Sequence, residues 1–282
     1  MEKGREEYKD INLEDAEKFL SKLLPEAGKI VKNYFEKGGW EQTAKEGVDF
    51  TTQADIETDE FLRGEISKKF PNHQFLTEET APDYNNPGIL ENLKNQEFLW
   101  MIDPLDGTGN FSTHDPHFAI SVALASAGQP ILAATYAPMF DELYLASTNK
   151  PFAICNGEKV EVSQNDDLKK AIVRVDWSWD LKRRPAMARI IQELSDKVRF
   201  VLIKGSAALD LSRLARGDYD AYIHMGLKPW DVAAASLIVE KAGGVVTTPD
   251  DKPWNIFTPE IFASNPRIRN KILAIITAQS QK

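Results

Sequence analysis

The stretch Trp100-Met101-Ile102-Asp103-Pro104-Leu105-Asp106-Gly107-Thr108-Gly109-Asn110-Phe111 decides how this chain is read. It opens as an apolar strand and delivers two carboxylates into a tight turn. There Pro104 and Gly107 fix the backbone so that Asp103 and Asp106 can converge on a cation. Gly107 and Thr108 then let backbone N–H groups come close to a phosphate. An Asp-Gly turn by itself is an ordinary surface feature; the full segment is much more specific.

Upstream, Asn12 reads as the N-cap of a helix reaching about residue 34, with Phe19, Leu20, Leu23, Leu24, Ala27, Ile30 and Val31 on its apolar face and a kink at Pro25. A second helix is expected over 54–70, and short strands at 74–76, 98–102, 118–125, 131–136 and 142–146. Beyond the turn-rich stretch around Asn156-Gly157 the pattern changes. Strands at 171–175, 198–203, 221–224 and 245–247 alternate with helices at 185–196, 206–216, 232–242 and 266–278. An antiparallel-looking α+β first half (1–155, carrying the quoted segment) and an α/β second half (156–282) predict two packed subdomains. With no internal repeat or long linker between them, the halves are expected to form one unit.

The formal net charge of −9 argues against a general nucleic-acid binder, which needs an excess of Lys and Arg. It leaves room for a small phosphorylated substrate, because a metal ion can supply positive charge locally. Cys155 is the single cysteine and follows Phe152-Ala153-Ile154, so it reads as a buried core thiol in a reducing compartment. The charged stretch from Met1 to Asp10 lacks the apolar run of a signal peptide, and no 18 consecutive apolar residues occur, so a soluble, cytoplasmic protein without membrane contact is expected. Haloacid dehalogenase phosphatases also place Asp-Gly-Thr after an apolar strand, with a nucleophilic Asp two residues before the second Asp. Here that position is Pro104, which disfavours an aspartyl-phosphate intermediate.

The quoted segment resembles the signature of the inositol monophosphatase family, lithium-sensitive, magnesium-dependent phosphatases, and the resemblance extends over most of the chain. Asp49-Phe50-Thr51-Thr52-Gln53-Ala54-Asp55 resembles the family's upstream Asp-Xaa-Xaa-Thr-Xaa-Xaa-Asp element, and Thr77-Glu78-Glu79-Thr80 its Gly-Glu-Glu-Ser-like loop. Trp230-Asp231-Val232-Ala233-Ala234 with Glu240-Lys241-Ala242-Gly243-Gly244 matches the second signature. The resemblance implies a two-subdomain layered αβαβα sandwich of the sugar-phosphatase type and, commonly in the family, a homodimer.

Carried over position by position, it also implies a site. Glu78, Asp103, the Leu105 carbonyl, Asp106 and Asp231 would hold two Mg²⁺ ions, and a third, weaker ion near Glu78 is a family feature. Thr108, hydrogen-bonded to Asp55, would orient an attacking water activated beside Glu78, while the Gly107 and Thr108 amides hold the phosphate. Gly205, Ser206, Ala207, His224, Asp103 and Asp231 would meet the substrate, a small phosphorylated polyol, sugar or nucleotide. Elementary electrostatics agrees with the grouping. Ionised carboxylates packed together repel, so they either take up protons or bind cations, and all-oxygen ligation selects hard ions such as Mg²⁺. Taken singly, Asp55 also reads as a helix N-terminal residue, Glu78 as a solvated loop residue, and Asp231 and Ser206 as N-caps.

Some positions depart from the family pattern. His224 stands where inositol-specific members carry a Glu that accepts a hydrogen bond from an inositol hydroxyl, and a neutral imidazole offers one acceptor but not a carboxylate. Thr77 replaces a frequent Gly. Lys45 reads as a solvated loop residue, and His114 and His117 as loop or supporting residues without a zinc-like ligand set. Bisphosphate nucleotidases and fructose-1,6-bisphosphatases of the same superfamily need a second anion pocket. No basic cluster is evident beside the signature, with Lys204, Arg213 and Lys228 as its candidates. A non-catalytic binding protein on this fold would be favoured by loss of a metal ligand, and none is lost.

Overall fold

A computed structural model describes residues 8, 11–38, 42–44, 50–83 and 86–278. The Asn12 side chain accepts from the N–H groups of Glu14 (3.0 Å) and Asp15 (3.1 Å) and so starts α1 (Leu13–Lys37), which contains Pro25 and buries Leu20, Leu24, Ala27 and Val31. The first half continues with β1 (Gln42–Ala44), β2 (Phe50–Thr52), α2 (Gln53–Lys69), β3 (Gln74–Thr77), α3 (Pro87–Lys94), β4 (Leu99–Asp106) and the short α4 (Thr108–Ser112). Then come β5 (Ala119–Ser126), β6 (Gln129–Ala137), β7 (Glu142–Ser147), β8 (Ala153–Cys155) and β9 (Glu158–Val160). The second half contains β10 (Ile172–Val175), α5 (Arg184–Leu194), β11 (Phe200–Leu202), α6 (Ala207–Ala215), β12 (Ala221–Met225), α7 (Pro229–Lys241), β13 (Val245–Thr247), β14 (Glu260–Ser264) and α8 (Arg269–Thr277).

Among the described residues, β3 to β9 form one sheet in chain order, with β3 parallel to β4 and every later pair antiparallel. The second sheet has the order β11-β10-β12-β14-β13; β10 runs parallel to both its neighbours and β14 antiparallel to both of its own. Helices α1 and α2 cover one face of the first sheet, α6 and α7 fill the space between the sheets, and α5 and α8 back the second. The result is the layered αβαβα sandwich. Because both faces of the first sheet are covered, its central strands are apolar on both sides. Leu99 and Met101 of β4 point toward α6 and α7, while Trp100 and Ile102 point toward α1 and α2.

The change of pattern at 155–156 falls in the turn of the last hairpin of the first sheet, where Asn156 and Gly157 both take positive φ (49° and 87°). The second sheet begins at Ile172. The short strands β1, β2, β8 and β9, the single-turn α4, and the longer α3 and β14 have no counterpart in the sequence reading. The apolar core of β14, Ile261-Phe262-Ala263, is too short for its period to tell strand from helix. Only its place between β12 and β13 makes it a strand.

Gly28 packs α1 closely against the sheet. A Cβ there would lie 2.4 Å from Tyr136 Cε1 and 3.2 Å from Pro138 Cβ, and the Tyr136 hydroxyl is tethered to Asp141 at 2.8 Å. Ala is the better helix former by about 1 kcal/mol, yet Gly28→Ala is expected to lower stability by about 1–3 kcal/mol through overpacking. Equilibrium denaturation checks this; an unchanged or raised midpoint would show that the ring yields freely.

Candidate active site

The site is built at the C-terminal end of β4. Asp103 pairs with Ser121 of β5 and Asp106 with Ala119, so one extra residue is accommodated on the β4 side. Pro104, which has no N–H to give the ladder, lies in that interval. The Leu105 N–H turns back to Asp103 Oδ1 at 3.0 Å. Gly107 follows at φ 102°, and a Cβ there would come within 3.1 Å of the His117 carbonyl and 3.3 Å of the Gly205 carbonyl. Only glycine serves that turn without strain. Glu78, half-buried just after β3, is set level with this strand end by its N–H bond to the Ile102 carbonyl (3.1 Å).

Three other carboxylate contacts are made by helix N-termini. Asp55, fully buried in the first turn of α2, accepts from the Thr52 N–H (2.8 Å) and hydroxyl (2.5 Å) with one oxygen, while the other lies 3.1 Å from Thr108 Oγ1. Thr108 Oγ1 is also 3.0 Å from the Leu105 carbonyl. Asp231, in the first turn of α7, accepts from the Lys228 N–H at 2.8 Å. Asp106 caps α6 from outside that helix: Ser206 Oγ (2.5 Å), Ala208 N–H (2.7 Å) and Ala207 N–H (3.3 Å) all donate to it. The local helix-start readings of Asp55, Asp231 and Ser206 and their readings as site residues therefore describe the same geometry.

These groups repel one another. Burial pushes Asp103 well above the usual carboxylate range, helped by Glu78, Asp106 and Asp231. Desolvation likewise raises Asp231 well above it, with Asp106 and Glu78 adding to the effect. Asp106 and Asp55 are each raised to about 7, again mainly by burial, against their donated hydrogen bonds. Among the described residues no three His, Cys, Asp or Glu side chains are gathered tightly enough to hold a metal ion as they stand, and Asp106 and Asp231 are hydrogen-bonded to helix-start N–H groups. The donor set nevertheless fits a hard divalent cation. It is all oxygen, largely buried, and its members disfavour one another's charge unless protons or cations intervene.

The remaining sequence candidates fall into two groups. Gly205 (φ 81°), Ser206 and Ala207 lie beside Asp106 at the start of α6, with Ser206 and Ala207 buried. His224 is buried near the end of β12, where burial holds the imidazole down to about 4 and Nδ1 has no hydrogen-bond partner. Lys45 and Asp49 lie outside the described residues. His114 packs against Phe35, and His117 Nε2 lies 2.9 Å from buried Asp210. Lys204 and Arg213, joined by Arg174, His114 and His117, line one cavity of about 630 Å³. The sequence offered no link between Arg174 and the other two. It also gave no role to Asn110, whose amide bridges the His117 (2.7 Å) and Lys204 (2.5 Å) carbonyls, although Asn110 stands inside the signature.

Buried, mutually repelling carboxylates set beside a glycine turn fit a metal-dependent phosphatase. Sequence comparison makes this definite: the chain belongs to the inositol monophosphatase family, whose sequence model matches residues 12–281. It is accordingly a phosphoric monoester hydrolase. It is 35% identical over 246 residues to the Nus factor SuhB of Escherichia coli K12, covering 87% of this chain and 89% of that protein. With the inositol-1-monophosphatase of Bacillus subtilis it shares 31% identity over 264 residues, 93% and 96% of the two chains. A solved IMPase/NADP phosphatase in complex with NADP and Ca²⁺ superposes with a TM-score of 0.82 at 26% identity, over 96% of this chain and 98% of its own.

Asp55 and Asp106, near 7 when folded against an ordinary 3.8, keep protons that the unfolded chain has already released. Their contribution to metal-free stability is therefore largest at low pH and is lost as pH rises through about 7. His224, held at about 4 against 6.5, acts in the opposite sense below 6.5. In EDTA, stability should thus fall mainly between about pH 5 and 7, His224 offsetting one of the two protons up to about 6.5, by at most about 1.4 kcal/mol per pH unit for each proton. Asp103→Asn, which relieves part of the repulsion, should flatten that fall; chemical denaturation at several pH values measures both slopes, and a wild-type stability rising over this window would contradict the assignment.

Proposed function

We propose that this chain is a Mg²⁺-dependent phosphomonoesterase acting on inositol monophosphate or a related small polyol or sugar phosphate. The observation that carries the reading is the mutual repulsion of Asp103, Asp106, Asp231 and Glu78 at one strand end. Those four side chains and the Leu105 carbonyl would hold two Mg²⁺ ions, with a third near Glu78. When bound, the ions supply positive charge to the phosphate and make water at the site more acidic. Thr108 Oγ1, placed between Asp55 and the Leu105 carbonyl, orients the attacking water. Asp55, raised to about 7 by burial, is able to take its proton near neutral pH. The Gly107 and Thr108 amides hold phosphate oxygens at the turn. Water attacks directly, since Pro104 occupies the position of a nucleophilic Asp.

Substrate contacts follow from the wall around Gly205, Ser206, Ala207, Asp103, Asp231 and His224. Neutral His224 has a free Nδ1 and accepts at most one hydroxyl hydrogen bond there. This favours a polyol that differs from inositol in the group facing β12. A second reading, a substrate with a second anionic group such as a nucleotide or sugar bisphosphate, is favoured by the Arg174–Lys204–Arg213 cavity. Two of its cations are already matched, however, Arg213 by Glu142 at 3.0 Å and Arg174 by Asp210 at 3.5 Å. The monophosphate reading is therefore preferred.

The same reading includes a homodimer. Trp177, Trp179, Leu181, Phe200, Leu202 and Ile203 are exposed around the ends of β10 and edge strand β11, an apolar face suited to a second copy. A cytoplasmic location accords with the lone, buried Cys155, and no helix among the described residues is long and apolar enough to cross a membrane.

Phosphate release from inositol-1-phosphate, glycerol-2-phosphate, fructose-1,6-bisphosphate and 3′-phosphoadenosine-5′-phosphate, with Mg²⁺ and with EDTA, tests the activity and separates the two substrate readings. Asp103→Asn and Asp231→Asn should each abolish Mg²⁺-dependent release in a folded protein, and Thr108→Ala should slow it by about 100-fold or more while Mg²⁺ still binds. Undiminished turnover in either Asn variant would refute the cation site. For the dimer, Leu202→Asp should convert a dimer to a monomer in sedimentation, and a monomeric wild type would end that part of the reading.

A further inference from the structure

Asp176 lies just beyond the C-terminal end of β10 and is 5% exposed. Its Oδ1 accepts from the backbone N–H groups of both Lys204 (3.0 Å) and Gly205 (2.7 Å), and its Oδ2 from the Tyr222 hydroxyl (3.1 Å). Lys204 and Gly205 are exposed residues between β11 and α6, and without this carboxylate their amides would have only water to bond. The turn they make is in contact with the site on two sides. The Lys204 carbonyl accepts from Asn110 of the phosphate loop, and the Gly205 carbonyl closes on Gly107. Directly afterwards Ser206, Ala207 and Ala208 donate three hydrogen bonds to Asp106.

We propose that Asp176 is a positioning residue for phosphate hydrolysis: by holding the 204–205 turn it fixes the start of α6 against Asp106 and the Gly205–Ala207 wall against substrate. The inference rests on the phosphomonoesterase reading. Asp176 acts on the reaction only through other groups, and it does so by geometry. One oxygen orders two adjacent amides, and the chain has no slack between those amides and the ones that grip Asp106. Supporting contacts of this kind set how well a site residue is aimed, and misplacement of about 1 Å costs on the order of 100-fold in rate. An Asn side chain can reproduce the arrangement, its oxygen accepting both N–H groups and its NH₂ donating to the Tyr222 oxygen. An Ala side chain cannot.

The test compares wild type, Asp176→Ala, Asp176→Asn and Tyr222→Phe by amide hydrogen exchange in metal-free protein and by kcat and KM on the preferred phosphate ester. Asp176→Ala should speed exchange at Lys204, Gly205, Ala207 and Ala208 by about tenfold or more and lower kcat/KM by about 10- to 100-fold, and Asp176→Asn should restore both to within about threefold. Unchanged exchange at Ala207 and Ala208 in the Ala variant overturns the proposal. So does an Asn variant as impaired as Ala, since charge rather than hydrogen-bond geometry would then be responsible. Should Asp176→Ala not fold, Tyr222→Phe replaces it, with faster exchange at Lys204 and Gly205 expected and no change overturning the proposal. If even the wild type hydrolyses none of the esters, the phosphomonoesterase reading fails on its own while exchange still decides whether Asp176 orders the turn.

Discussion

Everything in this molecule answers to the difficulty of keeping several carboxylates close together away from water. Isolated buried charge of one sign is among the costliest arrangements a protein can adopt. Here the cost is lowered by backbone N–H groups at helix starts, which present partial positive charge without adding a competing cation. Asp55 belongs to the start of α2, Asp231 to the start of α7, and Asp106 reaches across to the start of α6. The layered architecture is what lets three helix ends face one strand end. With α6 and α7 between the sheets and α2 on the outer face of the first, their N-termini meet where β4 stops.

Much of this could be read from the chain because the chemistry is local. The turn after β4 is spelled by Pro104 and Gly107, α1 by Asn12 and its apolar face, and the helix starts by Asp55 and Asp231 within one turn of their helices. The layered sandwich itself came with the family resemblance and not from periodicity, which gave only the order of strands and helices. Features that depend on packing were harder to see. Strand β14 is defined by its two neighbours, and the cation cavity by residues as distant in sequence as Thr113 and Arg213. Asp176 left no signal because its partners are backbone amides nearly thirty residues away, and any carboxylate after a strand looks the same in sequence. Asn110 was quoted within the signature, yet its two carbonyl partners come from separate loops.

The two sheets contribute differently to the site. Asp103 and Asp106 come from the first sheet, Glu78 follows its β3 strand, and Asp231 comes from the middle helical layer. The second sheet supplies His224 at the end of β12 and Asp176 at the end of β10, neither of which stands among the proposed cation ligands. His224 also shows how a conspicuous substitution fits its surroundings. A carboxylate at that buried position would add a negative charge, whereas an imidazole held neutral by burial and by nearby Arg183 adds none.

The placement of His224 bears on how such an enzyme diversifies. On the proposed reading, a strand end that meets the bound molecule but not the ions is free to vary in side chain while the hydrolytic apparatus stays intact. Its strand is anchored on both sides, by β10 and β14, so a new residue there changes what the pocket recognises without unsettling the sheet. One determinant of that proposed preference therefore sits in the second sheet, apart from the carboxylates of the first sheet and the middle helices, and can change without them.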